Sequence, residues 1–311
     1  MNDSNELLLT VVVCTYNRSP LLQSCLQSLV AQTADNKKFE ILVVNNNSDD
    51  NTMEIACSFS TLFQKYRVIK EKEQGLSYAR NRGWNAAKAE YVGYLDDDAI
   101  VEDDYIEIIL NIISNYNFDC FGGGYLPWYK YGKKKWFPDS YASVKYPYTT
   151  VFSLKEELFL CGGNCVYRKS MLKKTGGFSV THGMVGDKLG YGEETSIQIK
   201  FRNLGYSTVC VPNLYIYHLV PLYKQRVSWQ LYSAYIKGFQ LWDIYNKQPN
   251  IFSLLRLLCV LIYKELAFIA KIFSGYVPPF KCSFRQFFVD FLKPLVNLYG
   301  QMKSGILLIF K

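Results

Sequence analysis

The sequence predicts an α/β fold, a mostly parallel central sheet flanked by helices, with a C-terminal α-helical tail. Three observations carry this. Short apolar, β-branched runs alternate with stretches of helical periodicity as far as residue 116. The run at 7–14 is continuously apolar and β-branched, which marks a strand covered on both faces, while 39–44 reads as a second strand and 91–95 as a buried one. Each of the three ends in a polar turn, TYNR at 15–18, NNNSDD at 45–50 and DDD at 96–98. In a parallel sheet those turns share the carboxyl edge, where ligands bind.

Taken in order, residues 7–14 form the first strand, and Ser19-Pro20 opens a helix with Ser as cap and Pro at its first position. Leu22, Cys25, Leu26 and Leu29 then recur at helical spacing. A second strand over 39–44 leads through its turn into a helix from about residue 50, and 67–70 is a short third strand. Residues 75–88 place Leu76, Ala79, Gly83 and Ala86-Ala87 on one helical face. The strand at 91–95 follows, then a helix at 105–116 with Ile106, Ile109, Leu110 and Ile113 inward. Past 118–124 the pattern loosens. The Tyr-, Trp- and Lys-rich stretch 127–155 reads either as a surface excursion or as a wall on which Trp128, Trp136 and Tyr141 stack against a polar ring. A short helix near 171–175 precedes a segment with Gly177, Gly183, Gly186, Gly190 and Gly192, which reads as a lid. Glu193-Glu194-Thr195 starts a helix to about Asn203, and strands at 207–211 and 214–217 end at His218. Residues 1–220 are thus one α/β domain and 221–311 a helical, basic second region.

That second region carries the charge. The chain as a whole is +8, and from Pro221 onward 12 Lys and Arg face 3 Asp and Glu, a balance of +9 that leaves −1 for the first 220 residues. The surface this suits is acidic. With no zinc-finger or RNA-binding signature and no run of five like charges, an anionic membrane surface is expected and nucleic acid is not. Residues 251–273 are long and apolar, but Arg256, Lys264 and Lys271 fall on one helical face, the pattern of an interfacial helix and not a span. After Pro278-Pro279 a second such helix is expected over 284–299. Nine scattered cysteines without a paired framework read as buried thiols in a reducing compartment, and the N-terminus lacks the features of a secretory leader.

Asp96, Asp97 and Asp98 stand at the mouth of a buried strand, where three carboxylates repel one another. They are either a divalent-cation site for Mg²⁺ or Mn²⁺ or a solvated turn before the next helix. TYNRSP after the first strand is no dinucleotide fingerprint, and no P-loop occurs, so neither a dinucleotide-dependent oxidoreductase nor a P-loop phosphotransferase fits.

Four segments together, VVVCTYNRSPLLQSCLQSL, EILVVNNNSDDNT, EQGLSYARNRGWNAAKAEYVGYLDDDAIVEDDY and CGGNCVYRKS with the following GGF and YGEETSIQIKFRNLGY, resemble the inverting nucleotide-sugar transferases of glycosyltransferase family 2, which have the Rossmann-like GT-A fold. The resemblance implies a metal-dependent glycosyltransferase of hexosyltransferase type, with Mn²⁺ or Mg²⁺ on Asp98 and Asp96 and with His218 contributing to the metal. It implies Glu194 as catalytic base, with Glu193 beside it. Donor contacts are expected from Thr15, Tyr16, Arg18, Asn46, Arg80, Asp96 and Asp97. Acceptor contacts are expected from Trp128, Trp136, Gly163 and Asn164. Where the family commonly has an Asp after the second strand this chain has Asn45-Asn46-Asn47, which leaves the base of the nucleotide open; a UDP-sugar is the first expectation. The acceptor expected is a glycan hydroxyl on a lipid carrier, in surface polysaccharide synthesis on the cytoplasmic face of the cell membrane. A protein or free-glycan acceptor, or a non-catalytic nucleotide-sugar-binding module, stands as the alternative.

Overall fold

The computed structural model describes residues 6–146, 149–155, 158–273 and 283–309. The chain divides into two compact units. The first comprises the described residues up to Trp128 together with Ala142–Lys188 and Glu193–Leu219, and the second Tyr129–Tyr141, Leu189–Gly192 and the chain from Val220 onward. The helical unit therefore takes in two segments that the sequence placed with the sheet.

In the first unit the elements run β1 (Leu9–Thr15), α1 (Ser19–Val30), β2 (Phe39–Asn45), α2 (Thr52–Ser58), β3 (Tyr66–Lys70), α3 (Leu76–Ala86), β4 (Tyr91–Asp96), β5 (Ala99–Ile100) and α4 (Tyr105–Asn115). They continue with β6 (Cys120–Gly122), β7 (Tyr125–Trp128), β8 (Phe152–Ser153), β9 (Asn164–Arg168), α5 (Lys169–Thr175), α6 (Glu193–Asn203), β10 (Thr208–Cys210) and β11 (Ile216–Leu219). The main sheet has the order β3-β2-β1-β4-β9-β6-β10-β8, and a small one the order β5-β11-β7. β3, β2, β1 and β4 are parallel, and β1 and β2 bury nearly every side chain, as their unbroken apolar runs require. β9 was not foreseen. It enters antiparallel between β4 and β6, with Val166 opposite both Gly93 and Phe121.

Ser19 is not the cap of α1. It is the first helical residue, and the helix start is satisfied from the second turn instead: Arg18 N–H donates to Thr52 Oγ1 (3.1 Å) and Ser19 N–H to Asp50 Oδ2 (3.3 Å). The burial of eight described thiols is also incomplete, because Cys57 and Cys259 are exposed; Cys282 lies outside the described residues.

A buried acid on β2 breaks the apolar pattern. Glu40, 2% exposed, accepts from Thr10 Oγ1 (2.7 Å), the Lys88 N–H (2.8 Å), and Arg67 Nε and Nη2 (3.1 and 3.0 Å). Glu40→Ala removes the acceptor those donors share, leaving Arg67 Nη2 only the Ala86 carbonyl (2.8 Å), and is expected to cost about 3 kcal/mol, read as a lowered urea midpoint with an unchanged slope.

The second unit is helical: α7 (Val227–Phe239), α8 (Leu241–Ile244), α9 (Ile251–Phe273) and α10 (Phe284–Ile309). α7 and α8 were not anticipated, and α10 runs ten residues past the expected end. α7 and α10 approach closely through glycines. A Cβ on Gly238 would sit 1.9 Å from the Asn297 carbonyl oxygen, and one on Gly300 2.4 Å from that of Tyr235. Asn297 Nδ2 donates to the Ala234 carbonyl (2.7 Å) across the same contact. Ile251, Phe252, Leu255, Ile262 and Tyr263 of α9 are exposed. Among the described residues no helix is long and apolar enough to cross a membrane. The side chains of Lys264 and Lys271, and the Pro278-Pro279 break, lie outside the described residues.

Candidate active site

The turns after β1 and β2 are laced together at the carboxyl edge of the sheet: Asn17 N–H donates to Ser48 Oγ and Asp49 N–H to Asn17 Oδ1, both at 3.0 Å. β4 ends there on Asp96, and Asp97 and Asp98 turn into β5, each only 4% exposed. Arg18 reaches over from the first turn, its Nη1 3.1 Å from Asp97 Oδ1 and 2.9 Å from Asp98 Oδ2. Burial pushes the Asp97 carboxyl up to about 6, Arg18 pulls it down, and Asp98 adds to the rise.

β11 supplies the third group. It pairs antiparallel with β5, His218 opposite Ala99, and the Leu219 N–H donates to the Asp98 carbonyl (2.9 Å). His218 Nε2 then lies 3.2 Å from Asp98 Oδ1 and 3.7 Å from Asp96 Oδ2, with one ligating atom from each residue inside a 4.8 Å span. Its Nδ1 lies 3.1 Å from the Leu219 carbonyl, a bond that needs the proton on Nδ1 and so, in the neutral imidazole a metal requires, turns the Nε2 lone pair towards the two carboxylates. Three lone-pair donors facing one another are a poor arrangement without a positive charge among them and a good one around a divalent cation. Asp98 can serve two partners, since Oδ2 meets Arg18 while Oδ1 faces His218.

A second charged cluster adjoins the first. Arg80 of α3 is 3% exposed, its Nη1 2.6 Å from Glu193 Oε1 and its Nη2 3.5 Å from Asp96 Oδ1, under the rings of Tyr94 and Phe178. Burial alone would lower the Arg80 pKa, but Glu193, Asp96 and Glu194 more than reverse it, so the guanidinium stays charged. Glu193 and Glu194 begin α6, and Glu194 is the more open of the two. Burial first, then the Glu193 carboxylate, push Glu194 up to about 8, against the pull of Arg80.

Several of the expected contact residues are also engaged within the chain. Arg80 is a buried counter-charge joining two acid sites. Asn46 spends its amide on the backbone, donating to Glu71 and Glu73 carbonyls (3.4 and 2.6 Å) and accepting from the Gly75 N–H (2.8 Å), so it orders the loop into α3. Asn164 is fully buried, donating to Gly124 and Leu214 carbonyls and accepting from Tyr105 OH, which makes it a clamp in the core. Trp136 belongs to the helical unit, 8% exposed and edge-on to Phe137 and Tyr141. Thr15 is buried at the end of β1, Tyr16 is half-buried beside Gly186, and Trp128 is half-buried opposite Leu219. The first part of the glycine-rich segment is docked and not loose: Ser77 Oγ donates to the His182 carbonyl (2.9 Å) and the Leu76 N–H to that of Met184 (2.8 Å).

Gly163 has a role the sequence did not assign. A Cβ there would lie 2.1 Å from Asp96 Oδ2, so the bare backbone is what lets the Asp96 carboxylate take its place. Its φ is not in the left-handed region, and Gly163→Ala tests space alone. If Asp96 holds a cation for a diphosphate, as the sequence resemblance implies, the expected result is about a tenfold or greater loss of Mn²⁺-dependent nucleoside diphosphate binding by calorimetry, with an unchanged circular dichroism spectrum.

Known proteins resemble this chain in sequence and in fold. The family model described as Glycosyl transferase family 2 covers residues 10–176. The glycosyltransferase GlyA of Streptococcus pneumoniae serotype 4 is 38% identical over 117 residues, 38% of this chain and 16% of that protein. The glucosyl-dolichyl phosphate glucuronosyltransferase of Haloferax volcanii is 23% identical over 237 residues, 74% of this chain and 75% of that one. This chain spans between 16% and 38% of the length of GlyA and similar short-range matches. Among solved structures, the mannosyltransferase PcManGT from Pyrobaculum calidifontis, in complex with GDP-Man and Mn²⁺, superposes with a TM-score of 0.61 at 16% identity, covering 96% of this chain and 86% of that one. At that identity the likeness shows a shared fold, the GT-A arrangement expected from the sequence.

Proposed function

The chain belongs to glycosyl transferase family 2, and from that premise we propose that it is an inverting, metal-dependent transferase that moves a sugar from a nucleoside-diphosphate sugar to a glycan hydroxyl on a lipid carrier. The observation that carries the reading is the meeting of Asp96, Asp98 and His218 at the end of β4, joined through Arg80 to the acids of α6. The two carboxylates and the imidazole would hold Mn²⁺ or Mg²⁺, the nitrogen ligand favouring Mn²⁺. A bound ion of this kind neutralises the charge that develops on a departing diphosphate.

The chain's own residues supply the rest. Glu194 takes the proton from the acceptor hydroxyl as its oxygen forms a bond to the anomeric carbon, while the bond from that carbon to the diphosphate breaks and the nucleoside diphosphate leaves. Glu193 is tied to Arg80 at 2.6 Å and is buried, which leaves Glu194 as the more open acid of the two for an acceptor to reach. Arg18, on Asp97 and Asp98, keeps three crowded acids compatible with a folded chain. The lipid carrier is supported by the basic helical unit, by the exposed apolar face of α9 and by the dolichyl-phosphate substrate in the name of the archaeal relative. On this reading the protein works peripherally on the inner face of the cell membrane, in surface polysaccharide synthesis.

A thermal-shift screen of UDP-, GDP- and other nucleotide sugars, each with Mn²⁺ and with chelator, tests the reading and identifies the base. One nucleotide should raise the melting temperature by mass action in Mn²⁺ only. Stabilisation by none of them, or equal stabilisation in chelator, would overturn it.

A further inference from the structure

Between α7, α9 and α10, within the helical unit, lies a cleft of about 570 Å³, in the size range of small-molecule sites. Leu257, Val260 and Leu261 of α9 and Leu298 of α10 form its apolar lining, and Lys237 of α7 and Lys293 of α10 its cationic one. Asp290 also lines it and accepts a hydrogen bond from Tyr141 OH. Lys293 Nζ donates to Gln230 Oε1 (2.9 Å) and lies 4.6 Å from the centre of the Tyr141 ring, while Lys237 lies 4.8 Å over that of Tyr191. Aromatic faces and an amide oxygen thus hold these ammonium groups beside an aliphatic wall. Val260, at the edge, is 43% exposed, and Tyr263 one turn on is 73% exposed, which carries the apolar surface out to Ile262 and Leu266 on the open face of α9.

We propose that this cleft binds one anionic membrane phospholipid, its phosphate between Lys237 and Lys293 and its acyl chains along α9. A soluble anion has no use for four aliphatic side chains, and a neutral apolar molecule has none for two ammonium groups. The unit as a whole holds sixteen Lys and Arg against four Asp and Glu, +12, whereas the sheet unit is −4, so the helical unit is the part drawn to an anionic leaflet. Burial lowers the Lys293 pKa, the charge of Lys237 lowers it further and Asp290 opposes; an entering phosphate removes that penalty. All the residues named here belong to the helical unit, and the test reads binding without turnover.

The test is a melting-temperature titration of the full chain with dihexanoyl phosphatidylglycerol below its micelle concentration. The arms are dihexanoyl phosphatidylcholine and inorganic phosphate. Phosphatidylglycerol should stabilise saturably and the other two should not. Lys237→Met with Lys293→Met should weaken its apparent affinity at least tenfold. Lys133→Met with Lys135→Met, which removes the same charge from exposed positions of the same unit, should change it less than twofold. Should the first pair misfold, Val260→Trp, which fills the cleft and keeps both charges, decides by the same tenfold criterion. Equal stabilisation by phosphatidylcholine or by phosphate alone, or an equal loss from the exposed pair, overturns the proposal.

Discussion

Asp98→Ala is expected to leave the chain folded and to reduce Mn²⁺-dependent nucleoside diphosphate binding at least about 100-fold, since losing a direct ligand costs no less than losing its supporting shell. Asp98 Oδ1 faces His218 Nε2 at 3.2 Å and its Oδ2 faces Arg18 at 2.9 Å. Removing that carboxylate strips the imidazole of its near partner, while Arg18 keeps Asp97 at 3.1 Å. The unliganded chain has little to lose. One of three mutually repelling acids is gone, so the melting temperature without metal should hold or rise while the response to Mn²⁺ disappears. Calorimetry with and without chelator separates the two effects. Binding that is equal in both proteins and indifferent to chelator would remove Asp98 from the metal site.

Much of the sheet was legible because its strands are buried on both faces. VVVC at 11–14 and ILVV at 41–44 can be little else than interior strand, and the helices between them carry plain 3.6-residue periodicity. β9 escaped because its five residues follow directly on a glycine turn and run straight into α5; the alternative of a motif loop fits NCVYR equally well until its neighbours β4 and β6 are known. β5, only Ala99–Ile100, is too short to leave a pattern. Glu40 went unremarked within its strand. Only the distant Thr10, Arg67 and Lys88 make the burial of its charge tolerable. α7 and α8 hide in the opposite way, since Tyr, Trp and Gln around Gly238 give a weak stripe, and it is the glycine contact with α10 that fixes the packing.

For the candidate site, the groups themselves could be read from residue type and order, but not which neighbour each one faces. Three acids after a strand and two at a helix start announce charge chemistry. That Arg80 turns inward to Glu193 and Asp96 depends on Tyr94 and Phe178 forming the walls, residues separated from it by up to 98 positions. Asn46 and Asn164 have the chemistry of ligand contacts, and only the surrounding carbonyls and N–H groups show their capacity to be filled already. Gly163 carries no side chain to advertise its part in seating Asp96.

Glu194→Gln is expected to lower turnover by roughly 10²–10⁴-fold with donor binding and fold retained. Glutamine keeps the size and the hydrogen bonds of the side chain at the start of α6 but cannot accept the acceptor's proton. The pH behaviour gives a second readout. Burial, with Glu193 alongside, holds the Glu194 pKa above its ordinary value, at about 8, and only the ionised form acts as a base. Turnover of the wild type should therefore rise with pH through the neutral range and level off above the pKa, and the variant should lose that limb. The stability of the unliganded chain should move the other way. A carboxyl whose folded pKa is raised contributes stability that is complete below its unfolded value and is lost as pH climbs through the folded one, and Gln at this position should flatten that decline between about pH 4.5 and 8. Glu193→Gln is the contrasting variant. It takes the partner from Arg80 at 2.6 Å, leaves a guanidinium 3% exposed with Asp96 as its remaining near acid, and should lower the melting temperature more than Glu194→Gln does. Near-normal turnover in Glu194→Gln with an intact pH limb, and a folded but inactive Glu193→Gln, would transfer the base to Glu193 and make its bond to Arg80 one that opens before reaction.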